Sequence, residues 1–171
     1  MNVILVDVND AEIGVMEKME AHQKGVLHRA FSVFIFNHEG EMLIHQRAIK
    51  KYHNGGLWTN ACCSHPLPGE DIRDAAHRRL KEEMGFETKL EKAFTFTYKE
   101  AFENGLTENE FDHVFIGTYS GDLSPDPEEV QDYTFKDIKE ICEQLVTDPD
   151  NYTIWFRIAF PRVAALRLNN N

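Results

Sequence analysis

The chain has 171 residues, 42% of them hydrophobic and 27% charged, with a formal net charge of −11. That length suits one domain with a sizeable core, residues 1–171, and the acidic balance argues against nucleic acid or an anionic membrane as the main partner. No window approaches the roughly 18 apolar residues of a membrane-spanning helix. The opening M-N-V-I-L-V-D-V lacks the basic start of a signal peptide, so a cytoplasmic protein is expected. The three cysteines are an odd number, two of them adjacent, and reduced thiols fit that compartment.

Val3 to Val8 is a β-branched run that turns at Asn9-Asp10 and resumes at Ile13, which predicts an opening hairpin. Met16 to Gly25 reads as a polar segment. Ser32 to Phe36 is a nearly continuous apolar run, predicted as a central strand, with Glu41 to Gln46 returning beside it after a turn at Asn37-His38-Glu39-Gly40. Arg47 to Gly56 is a basic loop. Glu70 to Met84 predicts a helix stopped by Gly85, with Ile72, Ala75, Ala76 and Leu80 on one stripe. Arg79 and Glu83 fall within that stripe, either as an ion pair closed over by neighbours or as the lining of a site for an anion and a metal. Glu91 to Tyr98 and Glu108 to Tyr119 read as strands, the first with Phe94, Phe96 and Tyr98 on one face. A further strand is expected over Val130 to Phe135. A helix follows over Lys136 to Val146, with Cys142 as a small core residue. The last helix, from about Tyr152 to Leu168, is expected to break or kink near Pro161 and to fray over Asn169 to Asn171. Strands with interspersed helices give one mixed α/β domain.

Metal-ligating side chains stand at His22, His28, His65, Glu108 and Glu110. Strand alternation puts Glu108 and Glu110 on one side. This nitrogen and oxygen set suits Mn²⁺ or Mg²⁺, with Zn²⁺ as an alternative. Taken singly, His22 and His28 read as surface or capping residues, and His38, His45, His53, His77 and His113 carry no assigned role. Cys62 and Cys63 point opposite ways in an extended segment, so one of them faces a site, with its thiol pKa lowered by nearby cations. Of the cations Lys18, Arg47, Lys51 and Arg79, the two arginines are best placed to grip an oxyanion.

The stretch from Ser64 to Phe86 resembles the Nudix box, with Glu70, Arg78, Leu80, Glu82, Glu83 and Gly85 in register and Arg79 standing where the pattern has a glutamate. Combined with W-T-N-A-C-C-S-H-P before it and E-N-E after it, the chain resembles the type I isopentenyl-diphosphate isomerases over nearly its whole length. The resemblance implies a Nudix-like α+β fold, a mixed β-sheet sandwiched between helices. It implies Cys63 as the catalytic thiol, His22, His28, His65, Glu108 and Glu110 as metal ligands, and Glu83 on a second Mg²⁺. It also implies Lys18, Arg47, Lys51 and Arg79 on the diphosphate, Tyr98 beside the proton donor Glu110, and Trp155 facing a carbocation. The implied reaction interconverts isopentenyl and dimethylallyl diphosphate through a tertiary cation, in a monomer or weak homodimer. A Nudix hydrolase and a non-catalytic binding module are the rival readings.

Overall fold

The computed structural model describes residues 1–51 and 53–169. Strands β1 (Asn2–Val6) and β2 (Glu12–Glu17) form the expected hairpin, with Asp10 in its turn at φ 65°. The segment read as merely polar then folds into helix α1 (Lys18–Lys24), whose N-cap Glu17 accepts from the Met19 and Glu20 amides and whose C-cap Gly25 is left-handed. Strand β3 (His28–Phe36) and strand β4 (Met42–Arg47) are the predicted second hairpin. Short strands β5 (Trp58–Thr59) and β6 (Cys62–Ser64) precede helix α2 (Ile72–Met84). Strands β7 (Leu90–Ala101), β8 (Thr107–Thr118) and β9 (Val130–Lys136) lead to helix α3 (Ile138–Thr147), a 3-10 turn (Pro149–Asn151) and helix α4 (Ile154–Asn169).

The sheet is mixed and β3 is its hub. Along one edge β3 runs parallel to β8 from His28↔Glu110 to Phe36↔Thr118. Along the other it meets β1 at His28, β6 from Phe31 to Val33 and β4 at Phe36. Strand β7 flanks β8, and β4 also carries β5 and β9. Side chains alternate across a strand, so β3 feeds two cores. Phe31, Val33 and Ile35 pack against Ala75, Ala76 and Leu80 of α2, while Phe34 and Phe36 pack against Trp155, Phe156 and Phe160 of α4. The sheet is thus sandwiched between helices, as the resemblance implies. No helix among the described residues is long and apolar enough to cross a membrane.

Several local expectations need correction. Helix α2 starts two residues later than Glu70, because Asp71 caps it by accepting from the Arg73 and Asp74 amides. Glu70 is instead held by Arg78, Nε to Oε1 at 2.7 Å and Nη2 to Oε2 at 2.8 Å. Cys142 is exposed rather than in the core. Ile138 and Ile141 take the buried face of α3 with Leu145 partly buried beside them, which leaves Cys142 at the edge of the stripe. Helix α4 runs unbroken through Pro161. Pro161 and Arg157, the residue whose carbonyl it leaves without an amide, are both exposed, so the proline falls on the solvent side of the helix. Asn170 and Asn171, the end expected to fray, lie outside the described residues, as does Tyr52 in the basic loop.

Candidate active site

Local geometry carries the predicted residues to one place. Alternation along β6 sends Cys62 into the α2 core, fully buried, and turns Cys63 toward the opposite face. The same alternation puts Glu108, Glu110 and Asp112 of β8 on that face, with the Tyr98–Glu110 pairing between β7 and β8 placing the phenol beside them. A cavity of about 310 Å³ opens there. Its wall includes Cys63, His65, Tyr98, Glu108, Glu110 and Trp155, and all four predicted cations, Lys18, Arg47, Lys51 and Arg79. Glu83 also lines it, with Glu129 and His53, to which the sequence reading gave no role.

Behind this wall lies a buried cluster. Single ligand atoms of His22, His28, His65 and Glu110 all fall within 4.8 Å of one another. Glu110 Oε1 stands 3.0 Å from His65 Nε2 and 3.5 Å from His28 Nε2, and the Nε2 atoms of His22 and His28 are 3.2 Å apart. His28 Nδ1 lies 2.9 Å from the Val26 carbonyl, which keeps the ring proton there and aims the Nε2 lone pair inward. Burial, then the neighbouring His65, lowers the His22 pKa to about 3. Burial, then Lys18, lowers that of His65 to about 4. Burial also works against protonated His28, but its bond to Glu110 prevails and raises it. Glu110 is likewise penalised by burial, yet His28 and His65 hold its carboxyl well below the usual range. Imidazole nitrogens and an ionised carboxylate converging on one point are the donor set of a divalent metal, and an ion there would displace the proton that Glu110 otherwise favours on His28.

Glu108 stands beside this cluster rather than in it. Its Oε1 is 2.7 Å from His53 Nε2, and its Oε2 accepts from the Tyr98 hydroxyl at 3.0 Å. The same hydroxyl lies 2.9 Å from Glu110 Oε2, so one phenol bridges the two carboxylates. Burial, reinforced by those charges, pushes the Tyr98 pKa well up, so the phenol keeps its proton.

The thiol has its own network. Cys63 Sγ lies 3.1 Å from Asn60 Oδ1 and 3.2 Å from Ser32 Oγ, and Ser32 Oγ donates to Asp112 Oδ2 at 2.7 Å. The expected lowering of the thiol pKa is not found. Burial and then the Asp112 charge push it well above the ordinary value, outweighing the lowering by the Ser32 and Asn60 hydrogen bonds and by Arg47. Ser32, Asn60 and Asp112 went unassigned, although Asp112 lies two residues from Glu110 on the same strand face, which alternation alone could have flagged.

Arg79 and Glu83 form an ion pair that is open to the cavity rather than closed over by neighbours. Arg79 bonds Glu83 Oε1 through Nε at 3.1 Å and Nη2 at 2.6 Å, and the pair lines the cavity. Trp155 presents its ring to the cavity beneath Arg47, whose guanidinium carbon is 5.2 Å from the ring centroid. The Trp155 indole nitrogen is buried with no hydrogen-bond partner among the described residues.

Known proteins match this arrangement. The NUDIX domain family matches residues 26–156. An isopentenyl-diphosphate Delta-isomerase of Pectobacterium atrosepticum is 50% identical over 94% of this chain and 90% of its own. An isopentenyl-diphosphate Delta-isomerase 2 of Aromatoleum aromaticum is 46% identical over 98% of this chain and 89% of its own. Among solved structures, a MutT protein from Methanosarcina mazei superposes with a TM-score of 0.68 at 22% identity, covering 85% of this chain and 96% of that one.

Proposed function

This chain belongs to the Nudix family and, within it, to the isopentenyl-diphosphate isomerases, and from that membership we propose how its residues move the double bond between isopentenyl and dimethylallyl diphosphate. Residues 1–171 act as one catalytic domain on a small-molecule diphosphate. The observation that carries the proposal is a cavity with Cys63 on one flank of β3, Glu110 on the other, and four cations in its lining.

A plain alkene accepts a proton only at the expense of a tertiary carbocation, so the site must supply an acid, a base and an electron-rich wall. Toward dimethylallyl diphosphate, Glu110 delivers a proton to the terminal methylene carbon, with Tyr98 fixing the carboxyl through its hydroxyl. Cys63 then takes a proton from the methylene carbon on the diphosphate side of the cation. The reverse reaction returns both protons by the same route. Thus the two groups share one proton, on Glu110 at the start of the forward turnover and on Cys63 at its end. The raised Cys63 pKa and the lowered Glu110 pKa favour the proton on the thiol, the arrangement that begins the reverse direction. The indole face of Trp155 stabilises the cation by about 2 kcal/mol where water is excluded. Lys18, Arg47, Lys51 and Arg79 anchor the diphosphate, and that anchoring holds the hydrocarbon between acid and base.

His22, His28, His65 and Glu110 would hold a divalent ion, Mg²⁺ or Mn²⁺ with Zn²⁺ as the alternative, and Glu108 stands next to them as a further ligand. Such an ion supplies Lewis acidity to the Glu110 carboxyl. Glu83 would hold a second Mg²⁺ against the diphosphate.

Incubation of isopentenyl diphosphate with the enzyme and Mg²⁺ in D₂O tests the reading. Dimethylallyl diphosphate carrying deuterium is expected, without phosphate release at a comparable rate. Release of phosphate or isopentenyl monophosphate with no deuterated allylic product would make the chain a hydrolase instead.

A further inference from the structure

The connector before β9 puts one carboxylate, Glu129, where the anchoring cations converge. Its backbone is fixed on both sides. The Glu129 amide donates to Asp126 O at 3.0 Å, and its carbonyl accepts from the Ala48 amide at 3.0 Å. Only the side chain is free to swing. It reaches across the cavity with one oxygen on each of two cations: Oε2 on the Lys51 ammonium, and Oε1 on Arg79 Nη2 at 3.3 Å.

Arg79 is over-supplied with carboxylates. Glu83 takes its Nε and Nη2, Glu82 takes Nη1 at 2.8 Å, and Glu129 makes the longest of these contacts. The Glu83 side chain is 6% exposed and that of Glu129 is 23% exposed. Of the two partners that line the cavity, Glu129 makes the longer contact with Arg79 and is the more solvated, so an incoming anion displaces it before Glu83.

We propose that Glu129 is an internal counter-anion that occupies the place of the diphosphate on Lys51 and Arg79 and is displaced when the substrate binds. The proposal rests on the reading that these cations anchor a diphosphate. A carboxylate spanning two cations is outcompeted by a ligand that also spans both, which a diphosphate does and a single phosphate does less well. Glu129 then selects for diphosphate esters and keeps the two cations in position between turnovers. It also competes with the product and so hastens its departure.

Binding of inorganic pyrophosphate in the presence of Mg²⁺, measured by titration calorimetry on the metal-loaded enzyme, tests this. Glu129→Gln should bind pyrophosphate about tenfold more tightly than the natural protein, because a charged competitor is gone. Glu129→Asp, which keeps the charge, should stay near the natural affinity. In turnover, Glu129→Gln should lower KM and kcat together, a split that loss of structure does not produce. Its advantage should be larger still for orthophosphate. Pyrophosphate binding that is unchanged or weakened in Glu129→Gln overturns the counter-anion role while leaving the anion site standing. If the natural protein itself fails to bind pyrophosphate, the anchoring reading falls and this proposal with it.

Discussion

The Nε2 atoms of His22 and His28 face each other at 3.2 Å inside a fully buried pocket. Two nitrogen lone pairs at that distance repel unless a proton or a cation lies between them. The His28 ring sets Nδ1 against Val26 O, and burial lowers the His22 pKa to about 3, so each ring can turn an Nε2 lone pair to an ion. A divalent ion there would relieve the contact and displace the proton that Glu110 favours on His28.

Removal of that ion should therefore abolish isomerisation, and Mg²⁺ or Mn²⁺ should restore it. Stability should follow, since an ion at a hundred times its dissociation constant stabilises the folded state by about 2.7 kcal/mol. Activity and melting temperature measured on protein whose metal content is known decide the point. Full turnover by demonstrably metal-free protein would end this reading of the cluster.

The two adjacent thiols should respond differently to the same substitution. Cys63→Ala removes a proton-transfer group and should cost at least about a hundredfold in kcat. Cys62→Ala removes a buried atom from the α2 core and should cost about 1 kcal/mol of stability with kcat little changed. Paired kcat and melting measurements separate the two. Equal kcat losses in well-folded variants would place the chemistry elsewhere.

Tyr98→Phe keeps the ring that stacks on Phe96, centroids 5.8 Å apart, and deletes only the hydroxyl shared by Glu108 and Glu110. Two buried carboxylates then face one another without their common donor. A fall in kcat of about tenfold to a hundredfold is expected, from a misplaced acid, with a stability change of about 1–3 kcal/mol. An unchanged kcat would remove Tyr98 from the machinery.

Acid sensitivity should come in part from His45, which is buried in β4 and does not line the cavity. Burial, and then Arg47, lowers its pKa from 6.5 to about 3. Above pH 6.5 the imidazole is neutral both folded and unfolded, so it contributes no pH dependence. Below that, only the unfolded chain takes the proton, and stability falls by up to about 1.4 kcal/mol per pH unit until pH 3 is approached. His45→Gln should flatten this part of the curve in urea titrations between pH 4 and 6. A slope equal to that of the natural protein would assign the effect to other groups.

Much of the arrangement can be read from the sequence because it follows short-range periodicity. Helix α2 is announced by its apolar stripe and by Gly85, whose φ of 79° and close approach to Ser124 O leave no room for a side chain. Alternation separates Cys62 from Cys63 and joins Glu108 to Glu110. Helix α1 escaped because it is only seven residues long and is capped by a glutamate rather than by one of the usual capping residues. His53 and Glu129 escaped for a different reason. Both sit in irregular segments whose path is set by tertiary contacts, and no period in the sequence carries them to the cavity. The direction of the Cys63 shift was also beyond reach, since it depends first on burial and then on Asp112 arriving from β8, paired with β3 across the sheet from β6.

The parallel ladder that makes His28 and Glu110 direct partners has a consequence for how the protein comes into being. Parallel pairing joins segments far apart in the chain and must await closure of everything between them. A slip of one residue would turn Glu110 away from His28 and send the neighbouring Phe111 toward the metal pocket. Hence a newly made chain acquires its capacity to capture an ion late, in the step that sets the β3–β8 register, and a misregistered chain remains metal-blind. Ion uptake during refolding is then a clock for that one strand pairing, readable without any substrate.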